Sequence, residues 1–439
     1  MKTLYLYLIL CFTVACSRQA PVLTVQAPEL AGDTCTIHYN QRAETFVFDS
    51  QGIVRVKITP LLTFGNVYLK SSGQQIHFYT GQKDLTIHLD SKNEATFEGE
   101  HAEACSYYST AKYPTLAWYF VKDAGRKEVN AYLQEHADTL NHILTNSGVK
   151  DPEFIHLQKE EFKYTIESFR NIFLFTKGLI TPEDIRSYKS LLAEDETLLP
   201  LSNYGYALYR FPKELILYQQ RDSIRLPHEY LHDILDYYVE HYNNPGIRES
   251  VIHRMAEDYM YMQEQGNDPY LDKIYRTHVT DTLLIKKYNE LSAKWQHLWS
   301  GKPCAAPAAT DLAGEGLNLD RYKGKYLLID IWATWCRPCT REQDIMFKIE
   351  PEFKDKNIEF ITLSCDKHRK AWEMYCKKHK MTGDHHYNIQ DMDALFRLYA
   401  IRTIPRFILL DPEGKLLSAN FFKPSDPKFK RTLNHLLEN

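Results

Sequence analysis

The sequence predicts a multidomain α+β protein: an N-terminal small antiparallel β domain, a helical middle region and a C-terminal α/β fold. Three observations carry that expectation. Apolar and polar residues alternate with period two between about residues 33 and 110, and the spacing turns helical from about 115 to 299. After a Gly/Pro/Ala-rich stretch, strand-like and helix-like runs then alternate to the end. The 439 residues, 44% of them hydrophobic, suffice for two or three cores. A formal net charge of −4, with no basic block, gives no support to a nucleic-acid partner.

The first residues, "MKTLYLYLILCFTVAC", carry Lys2, an apolar run from Leu4 to Val14, then Ala15-Cys16. The run is too short to span a bilayer and has the shape of a secretory signal. A small residue followed by cysteine resembles a lipoprotein signal, although Thr13 stands where such signals usually carry Leu or Val. That resemblance implies a signal peptide over 1–15, lipidation of Cys16, and a membrane attachment made through the lipid. Residues 16–32 then read as anchor and tether.

From 33 to 110, "IVRVKI", "NVYLK", "QIHFYT", "DLTIHLD" and "ATFEGE" alternate, with Gly65, Gly73, Gly81 and Asn93 near the expected turns. Between 115 and 299 the pattern predicts helices. "LAWYFVKDAGRKEVNAYLQEHADTLNHIL" should end near Gly148, and "EFIHLQKEEFKYTIESFRNIFLF" near Gly178. "TPED" at 181–184 supplies a Thr N-cap with Pro182 in the first turn. "SGKPCAAPAATDLAGEG", residues 300–316, is loop-like and opens a final domain at 301–439. There "KYLLIDIW" reads as a buried strand, 338–355 as a helix and "NIEFITLS" as the next strand, a parallel pair. "RFILLDPEGKLLSAN" reads as a hairpin.

Nine cysteines less Cys11 and Cys16 leave seven, an odd number that cannot all pair within one chain. Cys35 and Cys105 could bridge, whereas Cys365 and Cys376 read as small buried apolar residues. The pair Cys336-Arg337-Pro338-Cys339 bears most of the chemistry. Zinc would need further ligands at similar spacing, and no second C-x-x-C exists. A structural staple closing so small a loop removes little entropy from the unfolded chain. Peroxidase chemistry wants Thr or Ser three residues before the cysteine, where Cys336 has Ala333 and Cys339 has Cys336. The redox reading gains from context. Cys336 would head a helix starting around Arg337-Pro338, where unpaired N–H groups and the helix dipole favour a thiolate. Cys339, one turn in, suits the resolving role. Asp330, inside "YLLIDIW", would be costly to bury without purpose.

A rival motif is "HEYLH", residues 228–232, which matches the zinc pattern H-E-x-x-H. Pro227 places it in a first helical turn, and neither His241 nor Glu257 sits in a recognisable continuation. The simpler reading makes Tyr230, Leu231, Ile234, Leu235 and Tyr238 a core face, with no metal.

"LLIDIWATWCRPC" and "YAIRTIPRFILLDPEGK" together resemble the active site and second signature of the thioredoxin superfamily. The 69 residues from Cys336 to Pro405, with "GKP...TDLAGEG...LDRYKGKYLLID" ahead, resemble its TlpA/ResA branch. "FYTGQKDLTIHLD" with "FEGEHAEA" resembles the β domain that precedes thioredoxin modules in many envelope lipoproteins. The resemblance implies a thioredoxin-like fold over 301–439, with Cys336 as nucleophile, Cys339 as resolving thiol and Asp330 mediating proton transfer. It implies a cis bond between Ile404 and Pro405, facing the cysteines. Trp335, Arg337, Pro338 and Ile404 would shape the substrate groove. No cofactor is implied beyond the Cys336–Cys339 disulfide. Partners would be client protein thiols or disulfides and a membrane electron donor, on the periplasmic side of a Gram-negative type of envelope. Three departures stand out. Arg337 replaces the usual Gly and should make the pair more oxidising, Asp344 replaces a helix-kinking proline, and no glutamate lies within the C-x-x-C.

The sequence therefore predicts an envelope thiol-disulfide oxidoreductase; the resemblance favours work as a reductase, Arg337 pulls the other way, and the direction stays open. The alternatives are a non-catalytic thioredoxin-fold adaptor and an HExxH metalloprotease.

Overall fold

The computed structural model describes residues 20–39, 42–59, 62–381, 385–389 and 391–438. The expected signal peptide and Cys16 lie outside them. Two compact units emerge, one formed by the chain up to Leu174 with Thr197–Tyr204, the other by Phe175–Glu196 and everything from Gly205.

In the first unit the strands are β1 (Val22–Gln26), β2 (Thr34–Tyr39), β3 (Arg42–Val47), β4 (Ile53–Lys57), β5 (Phe64–Leu69), β6 (Gln75–Tyr79), β7 (Leu85–Leu89) and β8 (Ala95–Gly99). They form two four-stranded sheets, ordered β4-β1-β7-β8 and β3-β2-β5-β6. Pairing is antiparallel except between β1 and β7. One core joins the sheets, with Leu23, Val25, Ile37, Val67, Phe78 and Ile87 at its centre.

Three sequence expectations change here. Residues 22–26 are no tether: Leu23 and Val25 point into the core and make β1 an inner strand. Gly65 sits inside β5 rather than at a turn, because a Cβ there would fall 2.6 Å from the Phe78 ring. The β region also ends earlier, since α1 (Ala102–Thr110) is helical and buries Cys105, whose Sγ accepts a bond from the Tyr79 amide at 3.4 Å. The helix expected from Leu116 breaks at Gly125 into α2 (Trp118–Val121) and α3 (Arg126–Thr145). α4 (Pro152–Thr176) is capped by Asp151, whose other oxygen bonds His101 Nδ1. Its Phe154 stacks edge-on against Tyr79, which ties the start of this helix to the β sheets.

The second unit holds α5 (Pro182–Leu191), α6 (Ser202–Gln219) from Gly205 onward, α7 (Pro227–His241), α8 (Pro245–Glu257), α9 (Pro269–His278) and α10 (Thr282–Trp295). Their starts follow from local chemistry. Thr181, Asn244, Asp268 and Asp281 accept bonds from first-turn amides, and prolines occupy the first turns of α5, α7, α8 and α9. Between α8 and α9 a π-helical turn, Asp258–Met262, leads to Glu264 in the left-handed region at φ 53°.

The rest of this unit holds β9 (Thr310–Asp311), β10 (Tyr326–Trp332), α11 (Arg337–Ile349), β11 (Ile358–Ser364), α12 (Arg369–His379), β12 (His386–Asn388), α13 (Met392–Leu398), β13 (Arg406–Leu410), β14 (Leu416–Ser418) and α14 (Pro427–Glu438). They form a six-stranded sheet ordered β14-β13-β10-β11-β12-β9. β10 is central, parallel to β11 and antiparallel to β13. Its residues from Leu327 to Trp332 are all buried, as expected for a strand covered on both faces. Each buried Leu or Ile there contributes about 1.5–3 kcal/mol.

The helical segment does not stand apart from this sheet, which explains why the second unit includes both. Leu226 enters the core with Leu328, Phe407 and Phe429. Gln265 Nε2 donates to the Asn420 carbonyl at 2.7 Å, and Asn420 Nδ2 donates to the Gln263 carbonyl at 2.8 Å. Arg406 and Glu264 form a buried ion pair, and Arg406 Nη1 also donates to the Ala419 carbonyl at 3.2 Å.

Candidate active site

The redox candidate is assembled where the central strand gives way to a helix. β10 delivers the chain to a tight loop, and Cys336 becomes the N-cap of α11. Its Sγ accepts the Cys339 amide at 3.3 Å, so one of the otherwise unpaired first-turn N–H groups points at the sulfur. Pro338 lies in that first turn, where its missing N–H costs nothing. Cys336 and Cys339 are joined in a disulfide with Cα atoms 5.3 Å apart.

Cys339 is fully buried, whereas Trp335, Arg337 and Pro338 are exposed around the pair. The loop opposite contains the Ile404-Pro405 cis bond, and the Ile404 carbonyl lies 3.9 Å from Cys336 Sγ. Ile404 and Pro405 are both partly exposed beside the sulfur.

Asp330 is only 3% exposed, on β10 beneath the helix. Gln343 Nε2 donates to its Oδ2 at 3.4 Å, and Oδ1 has no partner among the described residues. Gln343 lies four residues beyond Cys339, so both share the helix face turned toward the strand. Burial pushes the Asp330 carboxyl up to about 8, and the nearby Glu342 charge adds to the rise, against the bond from Gln343. An acid that titrates so close to neutral pH can hold or release a proton beside the inner cysteine.

Sequence reasoning missed three supports. Gln343 is one. Asp366, buried after β11, accepts the Thr334 amide at 2.9 Å and the Thr334 hydroxyl at 2.6 Å, and so pins the cysteine loop. The run of Ser364, Cys365 and Asp366 closing an apolar strand was its one visible signal. The third is Glu264. Its carboxylate accepts the Arg402 amide at 3.2 Å and pairs with Arg406, one residue past Pro405. No local pattern marks a partner from so far away.

The H-E-x-x-H residues have other employment. Glu229 Oε2 accepts the Leu226 amide at 2.6 Å and caps α7, and His232 Nε2 meets Asp268 Oδ1 at 2.9 Å. His241 stacks on Tyr237, and Glu257 contacts His253. Tyr230, Leu231, Ile234, Leu235 and Tyr238 are buried. Among the described residues no group of three or more His, Cys, Asp or Glu side chains is arranged to hold a metal ion. Cys35, Cys105, Cys365 and Cys376 are buried free thiols.

Residues 324–416 match the family described as Thioredoxin-like. The chain is 28% identical over 130 residues to the thiol-disulfide oxidoreductase ResA of Bacillus cereus (strain ATCC 10987 / NRS 248), covering 30% of this chain and 74% of that protein. The C-terminal module is thioredoxin-like, of the TlpA/ResA type. ResA of Geobacillus kaustophilus (strain HTA426) is 27% identical over 107 residues, 24% of this chain and 60% of the relative. A solved thiol-disulfide oxidoreductase from Bacteroides fragilis NCTC 9343 is 29% identical, with 31% of this chain and all of that one covered and a TM-score of 0.28. The thioredoxin-like module is thus similar to thiol-disulfide oxidoreductases such as ResA, and the matches fall on it rather than on the β sheets.

Proposed function

We propose that this protein exchanges its Cys336–Cys339 disulfide with cysteines of other proteins, as a reductase on the periplasmic side of a cell envelope. The observation that carries the reading is the buried Asp330 carboxyl, raised to about 8, under a cysteine pair at a helix N-terminus. Such a carboxyl costs stability and has a use in proton transfer.

In the reductive direction the Cys336 thiolate attacks one sulfur of a client disulfide, and the other client sulfur leaves as a thiolate. The mixed disulfide is then attacked at Cys336 Sγ by Cys339, whose proton passes to ionised Asp330. The second client sulfur leaves as a thiolate, the two client thiolates take their protons from Asp330 and from water, and the protein keeps the disulfide. Two electrons from a membrane donor reset the pair. Trp335, Arg337, Pro338 and Ile404 form the groove around the sulfur, and Pro405 shapes its far side. Lipid on Cys16 would hold the chain at the membrane. No helix among the described residues is long and apolar enough to cross one.

The test is single-turnover reduction of a disulfide-bonded peptide by the reduced protein. Cys339→Ala should trap a mixed disulfide through Cys336, and Cys336→Ala should abolish reaction. A Cys336→Ala variant with full biological activity would sink the catalytic reading in favour of an adaptor. Membrane retention that survives Cys16→Ser would remove the lipid anchor.

A further inference from the structure

A cavity of about 490 Å³, lined by Ile401 and Arg402 shortly before the Ile404-Pro405 bond, lies between the end of α10 and α13. Lys294, Arg397 and Arg402 line it against a single acid, Asp393, with Trp295 and Phe396 supplying apolar wall. Among the described residues no carboxylate pairs with any of the three cations. Trp295 is 1% exposed, yet its indole N–H has no acceptor among the described residues. A buried donor without an acceptor is costly, and three unneutralised cations beside it favour an anion.

The cavity is built rather than incidental. Arg402 is fixed at both ends. Its amide donates to Glu264 Oε2 at 3.2 Å, and its guanidinium lies 4.1 Å from the Tyr261 ring centre and 3.4 Å from the Tyr261 carbonyl. Lys294 Nζ sits 5.6 Å over the Trp295 ring. Arg402 precedes Ile404, the residue against Cys336 Sγ, by two positions, so at most about 7 Å of extended chain separates them.

We propose that this cavity selects clients that carry an acidic side chain two or three residues from the reacting cysteine, with Arg402, Lys294 and the Trp295 indole as its receivers. The proposal rests on the exchange reaction above. An extended client segment crossing the Ile404 carbonyl has alternate side chains turned to one side, which brings its carboxylate over Arg402. The helical segment thereby contributes to specificity, since Lys294 and Trp295 belong to α10.

The experiment uses the full chain, reduced and freed of reductant. Three synthetic disulfide peptides differ only at the second and third residues either side of cysteine, bearing Glu, Gln or Lys. At low ionic strength the Glu peptide should react about fivefold faster than the Gln peptide, and the Lys peptide slowest. In Arg402→Gln and, separately, exposed Lys294→Gln, the Glu/Gln ratio should fall toward one, while Arg402→Lys should keep most of it. Equal rates for Glu and Gln peptides, or a ratio unmoved in both neutral variants, would overturn the proposal. Inorganic phosphate that lowers the Glu/Gln ratio at matched ionic strength, and does so less in Arg402→Gln, would support the same receivers. A wild-type chain inert even to 2-hydroxyethyl disulfide would defeat the exchange reaction itself, a distinguishable failure.

Discussion

Asp330 ties acid–base chemistry to stability within one side chain. Its usual value is 3.8 and burial raises it to about 8, so folding takes up a proton anywhere between those limits. The unfolded chain binds fewer protons there, and stability falls as pH rises through that window. At pH 7 the penalty is on the order of 4 kcal/mol. Asp330→Asn should therefore raise stability at neutral pH and flatten its pH slope, as read by urea titrations at acidic, neutral and mildly alkaline pH. The same variant should slow resolution of the mixed disulfide by about tenfold or more and remove an inflection near pH 8. Arg337 acts on the other cysteine. A cation at this exposed position favours the Cys336 thiolate by about 0.3–1 kcal/mol. Arg337→Gly should then lower the reduction potential by roughly 6–20 mV, measured in glutathione buffers. A rise in potential would refute the assigned role.

The element that most tested sequence reasoning is α7, where "HEYLH" could have been a metal site. Its glutamate caps its own helix, so Glu229→Ala should cost about 1 kcal/mol in urea unfolding, at unchanged zinc content. Stoichiometric zinc in the purified chain that disappears in His228→Ala would revive the metalloprotease reading. Elements with local signals were legible in the sequence. Thr181-Pro182 opens α5 as the capping chemistry required, and α4 ends beside Gly178 at φ 64°. The C-x-x-C, Asp330 and the Ile404-Pro405 pair were legible because each lies within one short segment. Strand β1 was not, since "LTVQ" is too short to distinguish from a linker until β4 and β7 flank it. Gln343, Asp366 and Glu264 were hidden for a related reason. They serve partners 13, 32 and 142 positions away, and no periodicity records such distances.

At the scale of the second unit, the Glu264–Arg406 pair joins the helical segment to the strand behind the disulfide. Arg406 is 2% exposed, and burial lowers its guanidinium to about 10. Glu264→Gln leaves that charge uncompensated and should cost about 3–5 kcal/mol, whereas the double change Glu264→Met with Arg406→Met should come close to wild type. Thermal unfolding of the three proteins decides it. A single variant as stable as wild type would show that the pair does not hold the unit together. The free cysteines bear on the molecule as a whole in another way. A protein that trades disulfides must not trade them with itself. Burial raises Cys35 to about 11 and Cys105, Cys365 and Cys376 to about 12. At pH 7 only about one molecule in 10⁴ to 10⁵ carries a thiolate at any of these positions. Since the thiolate is the attacking species, these four are poor attackers of the Cys336–Cys339 disulfide, and the fifth free cysteine among the described residues, the partly exposed Cys304, is likewise raised by burial, to about 11.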